Sequence, residues 1–259
     1  MSHPLFYAGP GALTGTRPGD AVVLTGAEAR HAAQSMRLGV GEHLDVADGS
    51  GRRVTATVRS ADADRLEATA EQVTDEPAPR PELVLVQALA KGDRDLMGVQ
   101  AATELGVDAV HPWQAERSIV RWTGGGGKAA KTAKALAKWE AALLAAAKQA
   151  RRTRVPAARE LLDGVGVASV CGPGTLVLML HEDATEPLGD VLAAAGADAE
   201  RIVMVVGPEG GISPAEARAL AGAGARPVLL GRNVLRSSTA GPAATAVVQQ
   251  LLGRFGARP

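Results

Sequence analysis

Cysteine is almost missing from this chain: Cys171 stands alone among 259 residues. A single thiol excludes an internal disulfide and any zinc site built from several cysteines, and it suits a reducing cytoplasm. Aromatic residues are also scarce, at 2%, which argues against a nucleic-acid surface built as a broad stacking platform. No apolar run reaches the roughly 18 residues a membrane helix needs, so no membrane partner is expected. The opening "MSHPLFYAGPGALTG" has no basic start and no long apolar stretch, so no secretory signal is expected either. Net charge is absent too, since 28 basic residues balance 28 acidic ones. What is present is 46% hydrophobic and 22% charged. That is the make-up of a globular, soluble protein with one large domain or two modest ones.

The neutral total hides an uneven distribution. From Arg117 to Arg159 the basic residues are Arg117, Arg121, Lys128, Lys131, Lys134, Lys138, Lys148, Arg151, Arg152, Arg154 and Arg159, and the only acid is Glu140. Acids gather elsewhere, as at Asp183, Glu186 and Asp190. Such a segment predicts a basic face for a polyanion or, alternatively, a solvated lysine-rich helix face.

Two grammars follow one another along the chain. Up to about Thr74, "AVVLTG", "EHLDVADGSGRRVTATVRS" and "DRLEATAEQV" alternate apolar and polar residues, with "DGSG" as a hairpin turn; this predicts a small β module over residues 1–74. "DEPAPRPE", residues 75–82, carries three prolines and reads as a linker. From Leu83 the strands become continuous apolar runs: "LVLVQALA", "DAVHPW", "TLVLML", "RIVMVV" and "RPVLLG". Helical patterns lie between them, including a long alanine-rich one from Lys128 to about Arg152 that follows the four glycines Gly124 to Gly127. Continuous apolar strands alternating with helices predict an α/β domain over residues 83–259 with a parallel sheet covered on both faces.

Neither familiar nucleotide motif fits. "WTGGGGKAA" has Trp122 where a P-loop needs its first glycine, and Ala129 where it needs Ser or Thr. "GPGALTG" at Gly9 has the wrong spacing for a dinucleotide fingerprint. "GPEGGISPAEA", Gly207 to Ala217, survives the same test. Ser213, Pro214 and Glu216 predict a capped helix directly after the "RIVMVV" strand. Gly207, Gly210 and Gly211 would allow positive φ and close approach to main-chain amides, at the strand end where α/β proteins bind ligands. "LLGRNVLRSSTAGPAATAVVQQLL" repeats this logic around Gly231 and Pro242. Its Val234 and Leu235 could line a slot for a flat ring.

Together, "GPEGGISPAEA" and "LLGRNVLRSSTA" resemble the bacterial 16S ribosomal RNA uracil-N3 methyltransferases of the SPOUT class. "HAAQSMRLGVGEHLDVADGSG", "ATELGVDAVHPWQAERSIV" and "KQARRTRVP" extend the resemblance over nearly the whole chain. It implies a PUA-like β-barrel followed by a SPOUT parallel sheet with a C-terminal trefoil knot, in a homodimer. It also implies S-adenosylmethionine (S-adenosyl-L-methionine) as cofactor, held by Leu180 and His181, by Gly207, Pro208, Glu209, Gly210 and Gly211, and by Leu230, Gly231, Asn233, Val234 and Leu235. The implied substrate is 16S rRNA in the small ribosomal subunit, with no metal. Arg236 is the candidate catalytic residue, and Arg37, Arg117, Arg121, Arg151, Arg152 and Arg154 are candidate RNA contacts. Arg52 and Arg53 are weaker ones. No general base stands out: His181 could serve, though a histidine at a strand end is more often structural or a cofactor-loop contact, Glu209 reads as an anchor of its turn, and water is the alternative proton acceptor.

The sequence departs from the family at two points. Ser238 stands where the family's L-R-T-E-T-A has glutamate, and Lys148 stands where an acid usually precedes glutamine, which would add charge to a basic region. Two other readings stay open. One is a different SPOUT methyltransferase acting on tRNA or a ribose 2′-hydroxyl. The other is a non-catalytic RNA-binding ribosome assembly factor.

Overall fold

Side chains that alternate in sequence alternate between two environments in the first sheet. In the computed structural model, which describes residues 3–123, 128–196 and 198–255, the chain divides into two units. One comprises Met1–Ala78 and Ala147–Val155, the other Pro79–Ala146 and Pro156–Pro259. The expected glycine run, Gly124 to Gly127, lies outside the described residues.

In the N-terminal unit, β1 (Leu5–Tyr7), β2 (Ala21–Thr25), β3 (His43–Ala47), β4 (Arg52–Ala61) and β5 (Arg65–Asp75) form a curled, barrel-like sheet in the order β1-β3-β4-β5-β2. Every pairing is antiparallel except β1 with β3. Val22, Leu24, Leu44, Val46, Val54, Ala56, Val58, Leu66, Ala68 and Ala70, two residues apart along their strands, fill one core with Phe6 and Leu13. A short helix α1 (Gly26–Arg30) runs into a π-helical turn, His31–Ser35. Strand alternation gave no sign of either.

The basic segment 147–155 is tied into this unit by its main chain. Gly51 N donates to Thr153 O at 3.2 Å, and Val155 N donates to Gly49 O at 3.0 Å. The Tyr7 hydroxyl donates to Arg152 O; burial pushes its pKa up to about 12. Lys148 Nζ pairs with Glu28 Oε1 at 2.5 Å. The lysine that replaces the family's acid is therefore neutralised by a partner 120 residues away, so it does not add charge to the region as the sequence suggested.

In the second unit, β6 (Glu82–Ala88), β7 (Ala109–Gln114), β8 (Ala157–Ala158), β9 (Leu162–Asp163), β10 (Thr175–Leu180), β11 (Arg201–Val206) and β12 (Arg226–Val228) form a sheet in the order β12-β10-β11-β6-β7-β8, with β9 beside β7. All its pairings are parallel. Its central strands are buried on both faces, which explains their unbroken apolar sequence. On one face Val84, Val86, Val177, Val203 and Val205 meet Leu220 of α5 (Pro214–Gly222) and Val167 of a 3-10 stretch, Gly164–Val170. On the other lie α2 (Arg94–Glu104) and α6 (Ser237–Leu251), close enough that a Cβ on Gly241 would sit 3.1 Å from both methyls of Leu85. A short α4 (Leu188–Ala195) precedes β11.

The long helix α3 (Lys128–Gln149) buries Trp139 and Leu143, with Trp122 edge-on to Trp139 at 5.6 Å. It ends before the Arg152 expected from its composition. Arg151 turns left-handed (φ 54), and Arg152 N reaches back to Ala147 O, a Schellman-type stop that composition does not announce.

Glu82 begins β6 opposite Arg201 of β11. Burial acts to raise its carboxyl, but hydrogen bonds from Arg201 (2.7 Å) and from Arg159 outweigh this and hold it below the usual carboxylate range. A carboxylate with a depressed folded pKa contributes stability above its unfolded pKa and loses it as pH falls through the folded value. The thermal midpoint of the wild type should therefore fall more steeply than that of Glu82→Gln below about pH 5. Parallel Tm-versus-pH curves would contradict this.

Candidate functional site

The carboxyl ends of β10, β11 and β12 are neighbours in the sheet, so the loops leaving them converge although they are far apart in sequence. They line one cleft of about 990 Å³ in the second unit. Every residue expected to hold the cofactor is in its wall: Leu180 and His181, Gly207 to Gly211, and Leu230, Gly231, Asn233, Val234 and Leu235. Arg236 and Arg117 are there too. Arg121 instead donates to Glu116 O at 2.8 Å.

The bare turn after β11 has a more specific cause than ligand access alone. Of its three glycines only Gly211 adopts positive φ (74°). Gly207 is bare because a Cβ there would lie 2.8 Å from Ile212 Cγ1, and Gly210 because one would lie 3.2 Å from Arg117 Cβ. The turn is thus packed from its own side and from the segment after β7. Arg117 Nη1 donates to Gly210 O at 3.0 Å, so this arginine clamps the turn. Glu209 Oε1 takes Arg94 Nη1 at 3.2 Å and Lys91 N at 3.3 Å, tying the turn to the loop before α2.

Behind the turn, Ser213 and Glu216 form the expected capping box, with Pro214 in the first turn of α5. Glu216 is fully buried, and its other oxygen accepts the Glu116 amide at 2.7 Å. No Glu116–Arg117 ion pair forms among the described residues; each binds the α5 side of the cleft separately.

At the β10 end, the Asp183 amide donates to His181 Nδ1 at 3.2 Å. With Nδ1 accepting, a neutral ring carries its proton on Nε2, so it presents a donor and not a base. After β12, Gly231 has φ 146, a conformation that favours glycine. Val234 is 78% exposed, so its side chain is open for contact beyond the loop. The Arg232 and Arg236 guanidiniums have no hydrogen-bond or ion-pair partner among the described residues. Arg94, Arg218, Glu182, Asp183 and Ser237 also line the cleft. Sequence reading did not single out these five, because their common location depends on loops brought together by the sheet. Five arginines against three carboxylates leave the cleft net positive.

The remaining candidate RNA contacts, Arg37, Arg151, Arg152 and Arg154, lie in the N-terminal unit. Arg37 is exposed and left-handed (φ 53). The Arg154 guanidinium donates to Glu76 O, with Nη2 at 2.6 Å. Arg52 pairs with Asp75 at 3.1 Å and Arg53 with Glu76 at 3.4 Å, so both serve the barrel-like sheet. The basic run is likewise less bare than its sequence: Lys138 meets Asp93 at 2.8 Å, and Arg159 meets Glu82. Among the described residues no group of three or more His, Cys, Asp or Glu side chains is placed to hold a metal, and no helix is long and apolar enough to cross a membrane.

Residues 76–249 match the RNA methyltransferase domain family, and residues 24–71 the RNA methyltransferase PUA domain family. The chain is 40% identical over 247 residues to ribosomal RNA small subunit methyltransferase E of Mycobacterium bovis, covering 92% of this chain and 90% of the relative. It is 32% identical over 236 residues to the protein of that name from Synechocystis, covering 89% and 73%. Among solved structures it resembles a ribosomal RNA small subunit methyltransferase E from Neisseria gonorrhoeae bound to S-adenosyl methionine. There the TM-score is 0.82 at 29% identity, with 96% and 98% of the two chains covered. The matched domain contains all three loops of the cleft, and the long match to named relatives spans nearly the whole chain: it belongs to the ribosomal RNA small subunit methyltransferase E family.

Proposed function

We propose that this chain transfers the methyl group of S-adenosylmethionine to N3 of one uridine in 16S rRNA, acting on the small ribosomal subunit as a cytoplasmic homodimer. The observation that carries this reading is the convergence of three strand-end loops on one net-positive cleft, with the unpaired Arg236 in its wall. Family membership adds the reaction class, since the relatives are named for methylating small-subunit RNA. In the same reading residues 1–74 are a PUA-like RNA-binding domain, 75–82 a linker and 83–259 the methyltransferase domain, with its C-terminal segment threaded as a trefoil knot.

The residues fit the cofactor. A cleft of about 990 Å³ lies within the size range of small-molecule sites, roughly 300–1,000 Å³. Leu180, Leu230, Val234 and Leu235 offer apolar contact to an adenine, and the glycines of the lining loops allow close approach of its edge to the main chain. When bound, S-adenosylmethionine supplies an electrophilic methyl group. The protein's own work is alignment and charge stabilisation. Uracil N3 loses its proton as it attacks, and negative charge spreads onto the ring carbonyls. The free Arg236 guanidinium stabilises that charge or holds the neighbouring phosphate. His181, which offers a donor, does not take the proton; water does.

The test is nucleoside mass spectrometry of unmodified small subunits after incubation with the protein and methyl-labelled S-adenosylmethionine. Label in 3-methyluridine at a single position is the expected result. Label in another nucleoside would overturn the target, and absence of label with proven substrate would favour an RNA-binding assembly factor.

A further inference from the structure

Helix α6 starts inside the cleft, and it starts uncapped. Arg236 at its N-cap position makes no side-chain capping bond. The Ser237 and Ser238 amides find no acceptor among the described residues, whereas the next two, Thr239 N and Ala240 N, both turn back to Arg236 O. A 15-residue helix concentrates partial positive charge at such an end. By contrast α5, which begins at the same cleft, has proline at its first position and a capping box in which Ser213 Oγ accepts the Glu216 amide and Glu216 accepts the Ser213 amide.

A second observation is independent of the helix. Ser237 lines the cleft, is only 6% exposed, and its buried hydroxyl has no hydrogen-bond partner among the described residues. Buried hydroxyls are nearly always satisfied, so an orphan on a cavity wall indicates a polar ligand. Next to it in sequence, Arg236 and, beyond the loop, Arg232 carry guanidiniums with no partner among the described residues.

We propose that the N-terminus of α6, with the Ser237 hydroxyl and the Arg236 guanidinium, is an oxyanion-binding site within the cleft. The inference rests on the cofactor and RNA reading above. The oxyanion has two possible sources with the same chemistry, a phosphodiester of the RNA substrate or the methionyl carboxylate of the cofactor. Amide N–H groups, a hydroxyl and a guanidinium all donate, which matches an acceptor-only ligand.

Ser237→Ala removes the hydroxyl with little change of volume, and Ser237→Thr restores it. The experiment measures Kd for S-adenosylmethionine and for 5′-methylthioadenosine, which lacks the carboxylate, together with KM for unmodified small subunits. If the carboxylate is the ligand, Ser237→Ala weakens S-adenosylmethionine roughly 10- to 100-fold and leaves 5′-methylthioadenosine unchanged. If a phosphodiester is the ligand, both cofactor affinities hold while KM for the small subunit rises by a similar factor. Ser237→Thr should recover the lost binding in either case. Because the hydroxyl has no internal partner, Ser237→Ala should keep the wild-type Tm. Unchanged binding in every arm overturns the proposal, as does a marked loss of Tm, which would give the hydroxyl a structural role. Wild-type protein that binds no S-adenosylmethionine would instead overturn the cofactor reading itself.

Discussion

Replacing Arg236 by alanine is expected to lower kcat on unmodified small subunits by roughly 100- to 1,000-fold, the usual loss when a donor aimed at developing charge is removed. Arg236 is exposed at the N-cap of α6, and its side chain makes no bond that holds the loop in place among the described residues. The protein should therefore fold as before, with an unchanged Tm. Arg236→Lys keeps the charge but loses the planar fork, so it should recover only part of the rate. Single-turnover rates at saturating cofactor and substrate separate the two roles given to this side chain at the RNA. Loss of charge stabilisation on uracil slows the chemical step itself, whereas loss of a hold on phosphate raises KM as well. Normal turnover in Arg236→Ala would sink both.

The second large effect falls on stability. Glu216→Ala should cost about 3 kcal/mol, because it uncaps α5 and leaves the buried Ser213 amide and the part-buried Glu116 amide without acceptors. In a protein of this size that lowers Tm by roughly 6–12 °C. Glu216→Gln keeps an acceptor oxygen for one of the two amides and should lose less. Removing this carboxylate also unties the segment carrying Arg117 from α5 and leaves Arg117 Nη1 on Gly210 O to hold it against the turn, so cofactor affinity should weaken along with Tm. A Glu216→Ala protein with wild-type Tm would mean the carboxylate is not what joins the two segments.

Much of the local structure follows from sequence because its causes are local. Period-two alternation set Val54, Ala56 and Val58 on one side of a strand, and continuous apolar runs marked strands covered on both faces. Ser213, Pro214 and Glu216 predicted the start of α5, since a capping box needs only four consecutive residues. Family resemblance named the loops of the cleft because those loops carry recognisable residue patterns.

Other features required contacts between segments far apart in the chain. Glu216 reads locally as a cap, but its second role, bridging to Glu116, spans 100 residues. Gly210 reads as flexibility, yet it is bare because the Arg117 side chain packs over it. Lys148 reads as added charge until the fold sets Glu28 against it. Ser237 shows as an orphaned hydroxyl only once burial has removed its water. Sequence by itself determined which strands and turns form, because backbone preferences and hydrophobic period act over a few residues. Only the tertiary structure decided which charges are neutralised and which donors stay free for a ligand, because pairing and desolvation depend on what another part of the chain brings within a few ångströms.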